Sequence, residues 1–145
     1  MPVLPAMAYV FAFERLEVWQ LARQFMKFCY ALIDTFPPQE KYNLVDQIRR
    51  ASTSVALNLA EMTSRTSFKE QAHFSEMAYG SAIEVYCSFL LSHDLGYIDD
   101  DQLNEVTLKS GELSNKINAL KNSQYQRNVL QNRQQLQQPK QQLNN

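Results

Sequence analysis

The stretch Gln47–Glu61, QIRRASTSVALNLAE, decides the fold of this chain. Small and apolar side chains recur in it at steps of three and four, which is the spacing of one face of an α-helix. The residues of this face are Ala51, Ser52, Val55, Ala56 and Leu59. A face of small side chains lets a second helix approach closely. The stretch therefore predicts a buried helix, helix 2, that packs tightly against a neighbour.

A second stretch, Met77–Glu84, MAYGSAIE, is predicted to pack against the first. It places Gly80 and Ser81 inside another predicted helix, helix 3. We expect Gly80 to permit close helix contact, since glycine inside a helix otherwise costs about 1 kcal/mol relative to alanine. Polar groups at such a contact need hydrogen-bond partners. The sequence therefore predicts a structural polar network between helices 2 and 3, with a functional site as the alternative interpretation of the same residues: Asn58, Glu61, Gly80, Ser81 and Glu84.

The remaining periodic segments complete an all-α fold. Helix 1 is predicted over Glu14–Thr35, and helix 2 to begin near Gln39–Lys41. Ser67 is a predicted cap for helix 3, which ends around His93, and the acidic run Asp99–Asp101 favours the start of helix 4. Because four amphipathic helices are joined by short loops, we expect an antiparallel up-and-down four-helix bundle.

Composition divides the 145 residues into three predicted segments. Residues 1–12 form an extended leader, residues 13–121 the bundle, and residues 122–145 a tail rich in Gln and Asn. The tail has too little apolar surface to offset its ordering entropy, so we expect it to be disordered or a frayed helix extension. Helix 1 is apolar on most sides, which indicates a second burying surface and hence a homo-oligomer.

Charge and targeting signals set weak limits on function. The formal net charge is −1, but the tail has a small basic excess, a weak hint of nucleic-acid contact. The N-terminal stretch lacks the basic region of a secretion signal. No segment approaches the roughly twenty apolar residues that span a bilayer. We therefore expect a cytoplasmic protein with no membrane partner.

Four stretches carry a resemblance to a known family: FERLEVWQLARQF, QIRRASTSVALNLAE, AYGSAIE and LGYI. They resemble the four-helix-bundle proteins encoded in intervening sequences of bacterial 23S ribosomal RNA genes, once labelled S23 ribosomal proteins. The same broad family includes the accessory variability proteins of diversity-generating retroelements. The resemblance covers about Phe13–Lys121, and both polar and apolar positions agree.

The resemblance implies a four-helix protomer that assembles as a ring-like homopentamer, with no established enzymatic activity. For the retroelement branch it implies binding to nucleic acid and to a reverse transcriptase through a basic surface. Met62 is a departure, because the family usually has Gly after the Ala-Glu pair, so we expect a reshaped turn between helices 2 and 3. The positions that fall on the family pattern are Arg49, Arg50, Asn58, Glu61, Arg65, Gly80, Ser81 and Glu84.

The candidate surface for nucleic acid or a partner is centred on Arg49 and Arg50, with Arg65 and Lys69 as a possible extension. Adjacent helical residues point about 100° apart, so at most one of the two arginines faces inward. In the structural alternative, one arginine pairs across the bundle with Glu61 or Glu84 and the other covers apolar surface with its stem. The residues themselves leave both interpretations open.

No catalytic, metal or cofactor site is predicted. Glu70 and His73 have the Glu-x-x-His spacing of di-metal bundles, but such a site needs a second copy, and Leu90 stands where the second Glu should precede His93. The two cysteines, Cys29 and Cys87, are expected to be buried free thiols.

The sequence therefore predicts a non-enzymatic, oligomeric helical-bundle protein. Its expected partner is RNA, DNA or a nucleic-acid-processing protein such as a reverse transcriptase. The alternative is a purely protein-binding scaffold with no nucleic-acid role.

Overall fold

A computed structural model describes residues 9–139 of the chain. Within this range the fold is all-α, with four helices and no strand, as predicted for a four-helix bundle. Two short 3₁₀ helices precede α1 and α2, at Ala12–Arg15 and Pro38–Glu40. The four helices are α1 (Glu17–Ile33), α2 (Leu44–Thr63), α3 (Phe68–Asp94) and α4 (Asp100–Gln137).

The core is built on the predicted stripes. On α2, Ser52, Val55 and Leu59 are completely buried, and Ala51 is 3% exposed. The buried face of α3 also consists largely of small side chains. Its core residues have no exposed area, and three of the five are alanines: Ala72, Ala78, Ala82, Val85 and Phe89. Because alanine and serine extend little beyond the backbone, these faces hold their helices close together. The prediction that helix 2 carries a buried face of small side chains is confirmed.

The helix boundaries follow predicted capping chemistry. The Ser67 hydroxyl accepts the backbone N–H of Glu70 at 3.1 Å and begins α3. The Asp99 carboxylate accepts the N–H of Gln102 at 2.7 Å, and the Gln102 side chain returns a bond to the Asp99 N–H at 2.9 Å. Gly96 adopts a φ of +79° after α3, a conformation that glycine takes without steric cost. These caps fix where α3 ends and α4 begins.

Helix 1 and the start of helix 2 differ from the predicted bounds. α1 is shorter at both ends, since Ala12–Arg15 is a separate 3₁₀ turn. α2 begins at Leu44 because Asn43 has a non-helical backbone, with φ −124° and ψ −101°. The Glu40 carboxylate is held in the preceding turn by the Tyr97 hydroxyl, which donates to it at 2.9 Å. A tertiary contact therefore delays the helix.

Of the two predicted alternatives for the tail, disorder or a helix extension, residues 122–137 take the second and continue α4. Gln124 is 3% exposed and accepts a hydrogen bond of 2.6 Å from the buried Ser75 hydroxyl. The Arg127 guanidinium lies 5.9 Å from the ring centroid of Phe68. These contacts with α3 anchor a segment whose glutamine and leucine residues favour helix. Residues 140–145 lie outside the described range, and the division into domains stays a prediction.

The structure also bears on the predictions for the two cysteines, Met62 and the leader. Cys29 is buried as expected, but Cys87 is exposed, because it lies on the outer face of α3. Met62 at the usual glycine position is 5% exposed, so α2 runs past it to Thr63 before the turn. The extended leader lies outside the described residues, apart from Tyr9–Phe11, which precede the first 3₁₀ turn.

Candidate nucleic-acid interface

The predicted arginine pair lies on the outer surface of α2. Both side chains are exposed, and Arg50 pairs with Asp46 one turn earlier, with 3.1 Å between Nε and Oδ2. Within residues 9–139 neither arginine forms an ion pair with Glu61 or Glu84. The structural alternative of a cross-bundle ion pair is therefore not what the structure shows. Arg49 presents a cation with no carboxylate partner in the described range.

α1 contributes an aromatic side chain to the same surface. The Tyr30 hydroxyl lies 3.3 Å from Oγ1 of Thr53, which follows Arg49 by one helical turn and donates to its carbonyl at 2.8 Å. Tyr30 is 39% exposed and Leu57 is 64% exposed. Together they form a shallow surface groove lined by Tyr30, Arg49, Arg50, Thr53, Ser54, Leu57 and Asn58. Sequence reasoning missed Tyr30, although an aromatic residue outside the helix 1 stripe was visible.

Two further cations continue along α1. Arg23 and Lys27 follow Trp19 at steps of four and precede Tyr30, a spacing that keeps all four on one side of the helix. The Arg23 guanidinium lies 5.6 Å from the Trp19 ring centroid. A second shallow groove beside them is lined by Glu14, Trp19, Gln20, Arg23, Gln24 and Lys27. We call the surface formed by Trp19, Arg23, Lys27, Tyr30, Arg49 and Arg50 the α1–α2 face.

The other two predicted binding residues lie elsewhere. Arg65 is in the turn after α2, where its guanidinium bonds to Glu61 and lies 4.7 Å from the ring centroid of Phe74. Lys69 is exposed on the first turn of α3. α2 runs on for thirteen residues from Arg50 to its end at Thr63, about 20 Å at the rise of an α-helix, and Arg65 lies beyond that end. The structure therefore divides the predicted basic surface into two separate groups.

Just over half of the acidic residues lie in one segment of the chain, whereas the α1–α2 face has Asp46, paired with Arg50, and Glu14 beside its cations. Between Glu70 and Leu108, which span α3 and the first turns of α4, the sequence contains eight acids and no Lys or Arg. Phosphate groups would be repelled there and attracted to the α1–α2 face. Sequence reasoning missed this segregation because a net charge of −1 hides it. The acids are Glu70, Glu76, Glu84, Asp94, Asp99, Asp100, Asp101 and Glu105.

The predicted polar network between α2 and α3 exists only in part. The Ser81 hydroxyl donates to Ser54 at 3.0 Å, and the Asn58 amide donates to the same hydroxyl at 2.9 Å. The Gln47 amide donates to Glu84 at 3.1 Å, in a second and separate contact. These bonds link the two helices and satisfy the polar groups locally.

Glu61 and Gly80 are not members of that network. Glu61 pairs with Arg65 on its own side of the turn. Gly80 faces outward, and a Cβ placed on it meets no atom within 4 Å. The prediction that Gly80 permits a close helix contact is therefore wrong, and the small side chains that α3 buries are Ala78 and Ala82 on either side of it.

Within residues 9–139, no three His, Cys, Asp or Glu side chains come together as a metal site. His73 is exposed, with its ring 5.5 Å from that of Phe74. In the same range no helix is long and apolar enough to cross a membrane.

Known proteins resemble this chain in sequence pattern and in fold. A family model described as 23S rRNA-intervening sequence protein matches residues 14–119. A crystal structure of a protein with unknown function from the S23 ribosomal protein family of Bacteroides thetaiotaomicron VPI-5482 is similar, with a TM-score of 0.64 and 20% identity. The similarity covers 71% of this chain and 96% of that one, and at this identity it shows the fold alone. No curated protein matches.

Proposed function

The chain belongs to the 23S rRNA-intervening sequence protein family, and on that premise we propose that it is a non-enzymatic, oligomeric protein that binds nucleic acid through its α1–α2 face. The observation that carries the proposal is the exposed pair Arg49 and Arg50 beside Tyr30. Guanidinium groups form strong, geometrically specific bonds with phosphate, and exposed aromatic rings can stack on unpaired bases.

Charge segregation supports this choice of surface. Arg23 and Lys27 extend the arginine pair along α1, whereas the segment from Glu70 to Leu108 has no cation other than histidine. Phosphate contacts supply most of the sequence-independent affinity of nucleic-acid binders. A protein with a net charge of −1 therefore needs such a local surface to bind nucleic acid at all.

The proposed assembly is the antiparallel bundle in a ring-like pentamer that the family resemblance implies. Gln47 lies opposite Glu84, and Ser54 lies opposite Ser81, so numbers rise along α2 while they fall along α3. This order supports an antiparallel pair. Exposed apolar side chains outside the core, such as Ile83 at 45% and Leu91 at 50%, support contact with other chains. A cytoplasmic location belongs to the same proposal.

A titration against structured RNA, single-stranded RNA and duplex DNA at several salt concentrations tests the function. The wild type is compared with Arg49→Glu/Arg50→Glu, and Arg65→Glu/Lys69→Glu is the matched control at the other end of α2. We expect the first variant to lose binding about tenfold or more, with the slope of log K against log salt reduced by roughly two contacts. Circular dichroism checks that both variants remain folded.

The control should bind nearly as well as the wild type. Equal losses in the two variants would mean that the α1–α2 face is not the site. No binding by the wild type at low salt would contradict the nucleic-acid function itself.

The rival function is a protein-binding scaffold, which the 64% exposure of Leu57 in the same groove favours. A partner such as a reverse transcriptase would then contact Leu57 and the arginines together. Leu57→Ser separates the two functions, because it should weaken a protein complex more than RNA binding. Stoichiometric transition metal in the purified protein would contradict the non-enzymatic assignment.

A further inference from the structure

The C-terminal part of α4 projects beyond the start of α3. Since Arg127 lies over the ring of Phe68, the first residue of α3, residues 128–137 pass the end of the neighbouring helix. We call residues 128–137 the α4 extension. Val129, Leu130 and Leu136 are 47%, 56% and 86% exposed. An isolated helix end is marginally stable in water, so these apolar side chains indicate a partner.

The α4 extension is positively charged. From Leu113 to Pro139 the sequence contains no acid and four cations. Of these, Lys116 pairs with Glu17, and Lys121 and Arg127 lie over aromatic rings of α3. Arg133 is exposed between the apolar residues of the extension. The complementary surface is therefore one that is apolar in its centre and acidic around it.

Such a surface lies between α3 and α4, near the middle of the paired helices. A shallow groove of about 200 Å³ there is uncharged and is floored by small side chains. A Cβ placed on Gly111 meets no atom within 4 Å, so the groove is open above it. Ser110 is 5% exposed, and its hydroxyl has no hydrogen-bond partner in the described part of the chain. The lining residues are Ile83, Tyr86, Thr107, Ser110, Gly111 and Ser114.

The surroundings of this groove are apolar and acidic. Ile83, Leu90 and Leu91 on the outer side of α3 are 45%, 37% and 50% exposed. Asp94 is exposed on the same helix, and no Lys or Arg occurs between Glu70 and Leu108. The outer surface of α3 from Ile83 to Asp94 is about 17 Å long, against about 15 Å for the α4 extension.

We propose that the α4 extension of one copy docks along the α3–α4 groove of a second copy. The extension cannot reach its own groove, because α4 itself forms one wall of it. An amphipathic helix in an apolar groove, with opposite charges at the rim, is a recurrent mode of recognition. Each copy then supplies one extension and one groove, so the contact is heterologous and generates a ring or an open filament. The inference rests on the proposed self-association and names its surfaces.

Molar mass measured by light scattering over a range of concentrations tests the inference on the full-length protein. Gly111→Trp fills the groove, and Val129→Glu/Leu136→Glu removes the apolar contacts of the extension. We expect both variants to stay helical and to lose the oligomer. Asp34→Lys, an exposed charge reversal on neither surface, is the control and should keep the wild-type mass.

A charge exchange sharpens the test. Arg133→Glu and Asp94→Lys should each lower the mass when measured alone, and mixing the two variants should restore an oligomer. A wild type that is monomeric at all concentrations overturns the proposed self-association together with this inference. A wild-type oligomer that survives all four variants overturns the inference alone. Variants of the extension that keep their mass but bind RNA less tightly would assign the extension to nucleic acid instead.

Discussion

The α2–α3 boundary of the bundle is closed by small buried side chains and hydrogen bonds, whereas the α1–α4 boundary is partly open. Across the first, Ser54, Asn58 and Ser81 form one bonded cluster above the buried alanines. Across the second, Lys116 donates to Glu17 at 2.6 Å at the surface. Below that ion pair is a small opening of about 90 Å³ lined by Leu21, Gln24, Phe25, Lys109, Glu112 and Leu113.

The two boundaries distinguish residues that hold the bundle together from residues that are free to bind a partner. At the closed boundary the polar side chains find partners within the chain, so their presence needs no ligand. Arg49 and Arg50 lie on α2 outside that boundary, and the bundle does not use them. The open boundary has room to change shape and should tolerate substitution better.

The largest expected difference in the free energy of unfolding comes from truncating one leucine at each boundary. Leu59 is fully buried on α2, so we expect Leu59→Ala to lower the free energy of unfolding by about 2–5 kcal/mol. Leu21 is half-buried beside the opening, and Leu21→Ala should cost clearly less. Urea unfolding followed by circular dichroism measures both. Equal losses would show that the two boundaries do not differ in packing.

A smaller effect is expected at the α3–α4 boundary, where Ser75 donates to Gln124. Ser75→Ala leaves the buried Gln124 amide without this partner, and we expect a loss of about 1–3 kcal/mol. The double variant Ser75→Ala/Gln124→Leu removes both polar groups and should recover part of that loss in the same urea experiment. A double variant less stable than Ser75→Ala would contradict this reasoning.

Gly80→Ala is expected to raise stability, although the glycine lies next to the closed boundary. Its added Cβ meets no atom within 4 Å, so only the helix propensity changes, by about 0.5–1 kcal/mol in favour of alanine. Thermal unfolding should show a higher Tm. A lower Tm would mean that Gly80 makes the close helix contact predicted from the sequence.

The smallest effect is expected at the ion pair of the open boundary, and it should depend on pH. The hydrogen bond and charge of Lys116 lower the pKa of Glu17 from its ordinary value of 4.5. Stability from this carboxylate is therefore present above pH 4.5 and lost as the pH falls through the folded-state pKa. Glu17→Gln should be slightly less stable than wild type at pH 7, and the difference should vanish in acid. Since both groups are largely exposed, added salt should also reduce it.

The sequence predicted what depends on local periodicity and capping. The stripe of Ala51, Ser52, Val55 and Leu59 is buried, and Ser67 and Asp99 mark the starts of α3 and α4. The start of α2 was misplaced because the Tyr97 hydroxyl reaches Glu40 from a distant part of the chain. Contacts of that kind leave no signal in a local window.

The same limit explains the errors at the candidate site. Helical spacing alone did not decide which of Glu61, Gly80 and Glu84 contacts the neighbouring helix, and only Glu84 does so, by accepting from Gln47. The tail composition left disorder and a helix extension open, because the buried bond between Ser75 and Gln124 that holds the extension was invisible in the sequence. Tyr30 lies at the candidate site because α1 packs beside Thr53 of α2, and this tertiary contact cannot be predicted from local sequence.

The measurement that tests the account most directly is a paired determination of Tm and of Kd for structured RNA in two double variants. The account predicts that Arg49→Glu/Arg50→Glu loses RNA binding with its Tm nearly unchanged, because these side chains are exposed. It predicts that Ser75→Ala/Ser81→Ala lowers the Tm and leaves the Kd nearly unchanged, since both hydroxyls donate hydrogen bonds within the bundle and neither side chain lines the groove beside Arg49 and Arg50. The reverse result, with RNA binding lost through Ser75 and Ser81 and retained without the arginines, would contradict it.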